Sequence, residues 1–265
     1  MNTIFVLSGH CDSWYCYCDK HVIDFNMMKQ VILDNKIHLD MVCYDSCYTS
    51  SLELVYNFTD VADYVMAHQL YVYGEGFNSR NLCTILSADI TFKQKIYLLA
   101  YDYLLRSRVE KGSCSISIFK SSRFNEFVSQ LMKHSNEMTK KISEAKNSFI
   151  TDPCEEWLYY CKTGEETEDC NPIYCSNNLD LYNTIKHNEY LSDNDKKSLI
   201  DYFNKSIRHV HNGFPMDKRF YKKKKKYHGL NIIINPHKSD YGKYYAKLRF
   251  NKEFLRFSFD TTKIN

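Results

Sequence analysis

Two side chains of complementary chemistry follow short apolar runs. His10 comes after Thr3 to Leu7 and the Ser8-Gly9 pair, and Cys47 after Leu39 to Tyr44 and Asp45-Ser46. A thiol beside an imidazole can hydrolyse an amide. The ring takes the thiol proton or stabilises the thiolate, sulfur attacks the carbonyl carbon, and backbone N–H groups hold the oxyanion. The chain has 10 histidines and 11 cysteines, so such a pair carries little weight alone. A lone cysteine is more often a small buried apolar residue, and a lone loop histidine a satisfied polar one. The elements that position the pair decide its weight.

Thr3 to Leu7 has the continuous apolar character of a strand buried on both faces, and it delivers His10 to the loop at its C-terminal end. Leu39 to Tyr44 delivers Asp45-Ser46-Cys47 in the same way. After Cys47 the period changes: Leu52, Val55 and Tyr56 fall at helical spacing, with Ser50 or Ser51 as N-cap. Cys47 is therefore expected at a strand-to-helix turn. Asp12 to Lys20 reads as a polar, aromatic loop, Val22 to Leu33 as helical, Tyr64 to Ala67 as a strand, and Gly74-Glu75-Gly76 as a loop. A helix is expected over Phe92 to Leu105 and a strand over Ser115 to Phe119. Phe124, Phe127, Val128, Leu131 and Met132 mark one face of an amphipathic helix. Ser192, with Asp195 three residues on, caps another that carries Leu199, Tyr202, Phe203 and Ile207 on one face. A basic loop, Lys218 to Lys226, precedes a strand from Gly229 that is stopped by Pro236, and Tyr245 to Phe259 is an aromatic-rich end of strand and short helix or strand. Strands alternating with helices imply an α/β fold with a mostly parallel sheet flanked by helices. In such a sheet ligands bind beyond the C-terminal ends of the strands, where His10 and Cys47 both lie.

The chain has 265 residues, of which 44% are hydrophobic and 25% charged, enough for a single domain spanning residues 1–265. This composition excludes intrinsic disorder and collagen-like repeats. The first apolar stretch is too short for a signal-peptide core or a membrane span, so the expected location is cytoplasmic, the host cytoplasm if the source is a virus. The odd cysteine count and chain size argue for mostly reduced thiols rather than a disulfide framework. A net charge of +3 from 35 basic and 32 acidic residues implies no nucleic-acid or membrane partner. The excess of lysine over arginine, with many tyrosines and few glycines, suggests an AT-rich genome.

The stretch Asp40-Met-Val-Cys-Tyr-Asp45-Ser46-Cys47, continuing through Glu53 and Val61-Ala-Asp-Tyr-Val-Met-Ala-His-Gln69 to Gly74-Glu-Gly76-Phe77, resembles the catalytic region of clostripain-type cysteine peptidases. In that family a strand ends in Asp-x-Cys, then come a helix with a glutamate, an Ala-Asp-Tyr strand and a Gly-x-Gly-aromatic loop. The resemblance extends over Gly112 to Leu131 and returns at His228-Gly229-Leu230-Asn231-Ile232, similar to the family's Gly-Leu-Ser-Ile strand. It implies a caspase-haemoglobinase-like fold with His10 as general base and Cys47 as nucleophile; no cofactor or metal site is expected from the residues themselves. The backbone N–H groups of Cys11 and Cys47 would form the oxyanion hole. Asp45 and Glu75 would shape an acidic primary pocket that favours Arg or Lys before the scissile bond, because a buried carboxylate pairs with a basic side chain and discriminates against neutral ones. The implied partner is a peptide or protein substrate.

Two positions depart from the family pattern. Glycine normally follows the histidine, whereas Cys11 does here, and a side chain at that point can crowd the oxyanion position. Only nine residues precede His10, where the family has further strands and helices. The sheet is therefore expected to lack the family's first strands and to leave the edge at Thr3 to Leu7 open for a partner chain to join by strand addition. The alternative to an active peptidase is an inactive pseudo-peptidase that acts as a binding or assembly module.

Other clusters read as structural. Cys11, Cys16, Cys18 and His21 match zinc-ligand spacing poorly. Cys154, Cys161, Cys170 and Cys175 lie in an inserted Cys-rich loop at about 152–178, and are expected to be reduced thiols. Lys141 or Lys162 would suit a processing site for an enzyme that prefers basic residues. Lys222 to Lys226, beside Arg219, Phe220, Tyr221 and Tyr227, has the composition of a nucleic-acid patch but is read as a solvated loop.

Overall fold

The two apolar runs that precede His10 and Cys47 pair with each other in a five-stranded sheet. The computed structural model describes residues 2–12, 15–18, 21–69, 72, 76–109, 115–148, 178–211, 228–233 and 247–250. In chain order the strands are β1 (Ile4–Ser8), β2 (His10–Asp12), β3 (Tyr15–Cys18), β4 (His21–Ile23), β5 (Leu39–Asp45), β6 (Ala62–His68), β7 (Ser115–Lys120), β8 (Asn178–Asp180), β9 (Ile207–His211) and β10 (Asn231–Ile233). The helices are α1 (Phe25–Asp34), α2 (Leu52–Phe58), α3 (Ser79–Ser87), α4 (Phe92–Val109), α5 (Ser121–Lys133), α6 (Ser135–Ser148), α7 (Leu181–Lys186) and α8 (Asp193–Ser206).

The main sheet has the order β1-β5-β6-β7-β9. β1, β5 and β6 pair in parallel, and β7 runs antiparallel to both β6 and β9, so four of the five strands point one way. β5 is buried along nearly its whole length and alternates between the two faces of the sheet. Val42 and Tyr44 join a core with residues of α1, α2, α5, α7 and α8, while Met41 and Cys43 join a second core with Ile96, Leu99 and Tyr103 of α4. A strand covered on both faces needs an apolar run rather than an alternating pattern, which is why Leu39 to Tyr44 reads as it does. On the first face Phe25, Tyr44 and Phe58 meet edge to face, with centroids 5.5 to 6.3 Å apart.

Several boundaries differ from the sequence reading. Asp12 to Lys20 is not simply a loop: β2, β3 and β4 form a small antiparallel sheet. The segment from Val22 to Leu33 divides between β4 and α1, where Asp24 caps the helix by accepting from the N–H groups of Asn26 and Met27. Ile207 begins β9 instead of ending α8. Helical spacing places it on the apolar face of α8, but its φ of −126° is extended, and it pairs with Phe119. Ser192 caps α8, as its spacing from Asp195 implies. β8 and β10 form a two-stranded antiparallel sheet tied to the main body by the Asn231 N–H donating to Ser50 O at 2.8 Å. The inserted segment, apart from Asn178, lies outside the described residues, as do Lys222 to Lys226. No helix among the described residues is long and apolar enough to cross a membrane.

Candidate active site

Ser8 and Asp45 are directly paired across β1 and β5. One residue, Gly9 or Ser46, separates each strand from His10 or Cys47. The Gly9 N–H donates to Asp45 O at 3.4 Å and prolongs the pairing. His10 and Cys47 therefore each stand two residues beyond the last paired position of neighbouring parallel strands, which are spaced about 4.8 Å apart.

His10 is exposed and opens β2. Its successor Cys11 is 7% exposed, turned into the core and joined to Cys16 in a disulfide across the β2–β3 ladder. The expectation of mostly reduced thiols therefore has one exception among the described residues, while Cys43 and Cys83 are free thiols. The same disulfide engages two members of the Cys11, Cys16, Cys18 and His21 set.

The half-buried Cys47 sulfur accepts a hydrogen bond from the Val72 N–H at 3.3 Å. After Cys47 the chain reverses through Tyr48, whose φ of 54° is left-handed. Thr49 holds the turn: its hydroxyl donates to Ser46 O at 3.1 Å and accepts from the His68 N–H at 3.2 Å. α2 starts only at Leu52, with Ser51 as its cap, so Cys47 stands ahead of the helix rather than on its first turn.

Asp45 is 7% exposed and accepts from three donors. The Tyr103 hydroxyl is 3.0 Å from Oδ1, the Phe77 N–H 2.8 Å from Oδ2, and the Ser8 hydroxyl 3.4 Å from Oδ2. Gly76 lies against the same carboxylate with φ at +69°, and a β-carbon there would fall 2.1 Å from Oδ2. Arg106 donates to Gly76 O at 2.6 Å and holds that backbone in place. The Tyr103 ring packs between Phe77 and His68, each with centroids 4.8 Å away. His68 is fully buried, and among the described residues neither of its ring nitrogens has a hydrogen-bond partner. Burial, and secondarily His209, lowers its pKa to about 3, so the ring stays neutral. Glu75, the other expected pocket carboxylate, lies outside the described residues.

A polar network behind the site was not legible in the sequence. The buried Gln69 side chain donates to Asp180 at 2.9 Å and to Asn231 at 3.0 Å, and accepts from the Gly229 N–H at 2.6 Å. Asp180 also caps α7 through the Asn183 N–H and pairs with His228 at 3.2 Å, whose ring stacks on Tyr182. Tyr103 was equally hidden, because its spacing is that of any core aromatic on α4. Among the described residues no group of three or more His, Cys, Asp or Glu is placed to hold a metal ion. Lys141 lies within α6 and pairs with Glu189 at 2.6 Å, whereas Lys162 and the cysteines from Cys154 to Cys175 lie outside the described residues.

No curated protein sequence matches the chain. Among solved structures it is similar to a secreted C11 cysteine protease from Bacteroides thetaiotaomicron in complex with an irreversible peptide inhibitor, with 16% identity and a TM-score of 0.64 over 98% of this chain and 73% of that one. It is also similar to an inactive zymogen C11 protease from Parabacteroides distasonis (17% identity, TM-score 0.58, 95% and 69% covered). A B. fragilis cysteine protease gives 14% identity and a TM-score of 0.60, with 90% and 96% covered. At these identities the likeness is one of fold: a mixed, mostly parallel sheet flanked by helices. The sequence profile of the Clostripain family of C11 peptidases matches residues 4–261, so the chain belongs to the clostripain family.

Proposed function

We propose that the chain is a cysteine endopeptidase that cleaves peptide bonds after Arg or Lys with His10 and Cys47 as its dyad. The observation that supports this reading is the register: Ser8 pairs with Asp45 across parallel β1 and β5, and His10 and Cys47 each follow two residues later. In the mechanism, His10 takes the Cys47 proton, sulfur attacks the scissile carbonyl, and the backbone N–H groups of Cys11 and Cys47 bind the oxyanion. His10 then protonates the leaving amine, and water hydrolyses the thioester. The Cys11 side chain is drawn inward to Cys16, which supports an uncrowded oxyanion position. Asp45 and Glu75 supply the acidic primary pocket.

The second reading is an inactive pseudo-peptidase that binds a partner chain. It is favoured by the three donors already on Asp45, and by β1 lying at one end of the sheet order among the described residues, where a strand of a partner could add along residues 3–7. One experiment separates the two. A covalent Arg- or Lys-directed thiol reagent should label Cys47 in the wild type, and labelling should fall by at least about a hundredfold in His10→Ala. Wild-type protein that remains unlabelled and leaves Arg and Lys fluorogenic peptides uncut rejects the peptidase.

A further inference from the structure

We propose that Tyr103 is a specificity-determining residue of the primary pocket, its hydroxyl occupying the seat on Asp45 that the cationic end of a basic substrate side chain would take. The inference rests on the reading of Asp45 as the pocket floor, and goes beyond it by naming what competes for that floor.

A carboxylate offers about four lone-pair sites. Those of Asp45 face Phe77 N–H, the Ser8 hydroxyl and the Tyr103 hydroxyl, in a setting where the residue is 7% exposed. That leaves one site, on Oδ1 beside the Tyr103 hydroxyl, so an incoming ammonium or guanidinium must crowd against Tyr103 or displace one of the three donors. Phe77 N–H is backbone, fixed beside Gly76, which has no room for even a β-carbon and whose carbonyl is held by Arg106. Ser8 makes the longest contact, 3.4 Å, on the oxygen already bonded to Phe77. Tyr103 is the only donor on Oδ1 among the described residues, and it comes from a side chain whose ring is clamped between His68 and Phe77. The clamp makes displacement of the whole ring costly, since the edge-on contact with Phe77, the tilted contact with His68 and their buried area would all be lost.

Removing only the hydroxyl changes this balance. Tyr103→Phe keeps the ring in its clamp and leaves a space of one heavy atom against Oδ1. A lysine ammonium, a compact point charge, suits that space, whereas the planar guanidinium fork of arginine is larger than the atom removed. His68 behind the ring is neutral and adds no repulsion to an arriving cation.

The wild-type pocket should therefore prefer basic over neutral side chains only weakly, and Tyr103→Phe should gain preference for lysine. The test reads binding without the nucleophile, by isothermal titration of acetyl-Ala-Ala-Lys-amide, its arginine analogue and its norleucine analogue into Cys47→Ala and into Cys47→Ala with Tyr103→Phe. The expected result is affinity for the lysine and norleucine peptides within about threefold in the first protein. In the second, the lysine peptide should bind about tenfold to a hundredfold tighter, arginine should gain less, and norleucine should not change. Adding Asp45→Asn should erase the gain. An unchanged lysine-to-norleucine ratio, an equal shift for all three peptides as a structural effect would give, or no binding by either protein overturns the inference. Because binding is read without Cys47, its outcome is separate from the labelling result that decides the dyad.

Discussion

At the scale of single residues, the same side-chain types play different parts according to burial. His10 is exposed at the end of the sheet, whereas His68 is sealed beneath Tyr103 with its pKa lowered to about 3 by burial. That depression has a defined sign in stability. Between pH 6.5 and about 3 the unfolded chain binds a proton at His68 that the folded chain refuses. Stability from this group is full above that window and falls as pH drops through it, by up to about 1.4 kcal/mol per pH unit. Urea denaturation at about pH 7.5 and about pH 5 should show a loss of roughly 2 kcal/mol in the wild type that is largely absent in His68→Leu. Equal losses in the two proteins would remove His68 as the cause. No local pattern of burial separates the two histidines, since each follows an apolar strand run. Which becomes solvated and which sealed depends on α4, whose Tyr103 covers one of them.

At the scale of elements, the strands that precede His10 and Cys47 and the amphipathic α5 were legible because their periods are set by burial on two faces or one. The hairpin of β2 and β3 was not. Its segment is polar and aromatic without turn-type glycine, and what stabilises it, the Cys11–Cys16 pairing with both residues buried, becomes visible only once the ladder is formed. Gln69 is a similar case. One buried amide joins the end of β6 to β8, β10 and the cap of α7, a role no local pattern announces. Gln69→Leu leaves Asp180 and the Gly229 N–H each one partner short in a buried setting and should cost about 2 to 4 kcal/mol. Chemical denaturation checks the value, and a change below about 0.5 kcal/mol would mean that the network is not stabilising.

At the scale of the whole molecule, two cores on opposite faces of one sheet hold β1, β5 and β6 in register. Phe58 sits at the centre of the first, fully buried and edge-on to Phe25 and Tyr44. Phe58→Ala should destabilise the protein by about 3 to 5 kcal/mol, because the neighbouring rings cannot collapse fully into the space. A thermal melt shifted by only a degree or two would contradict that packing. The sequence by itself determined the α/β class, the two strands that end at His10 and Cys47, and the family resemblance carried by the residues around Cys47, since these follow from local period and motif. Only the tertiary structure decided the Ser8–Asp45 register, the disulfide at Cys11 and the closure of Asp45 by Tyr103 and Phe77. The physical reason is separation along the chain. Tyr103 and Asp45 lie 58 residues apart, and a hydrogen bond across that distance exists only after sheet and helix have packed.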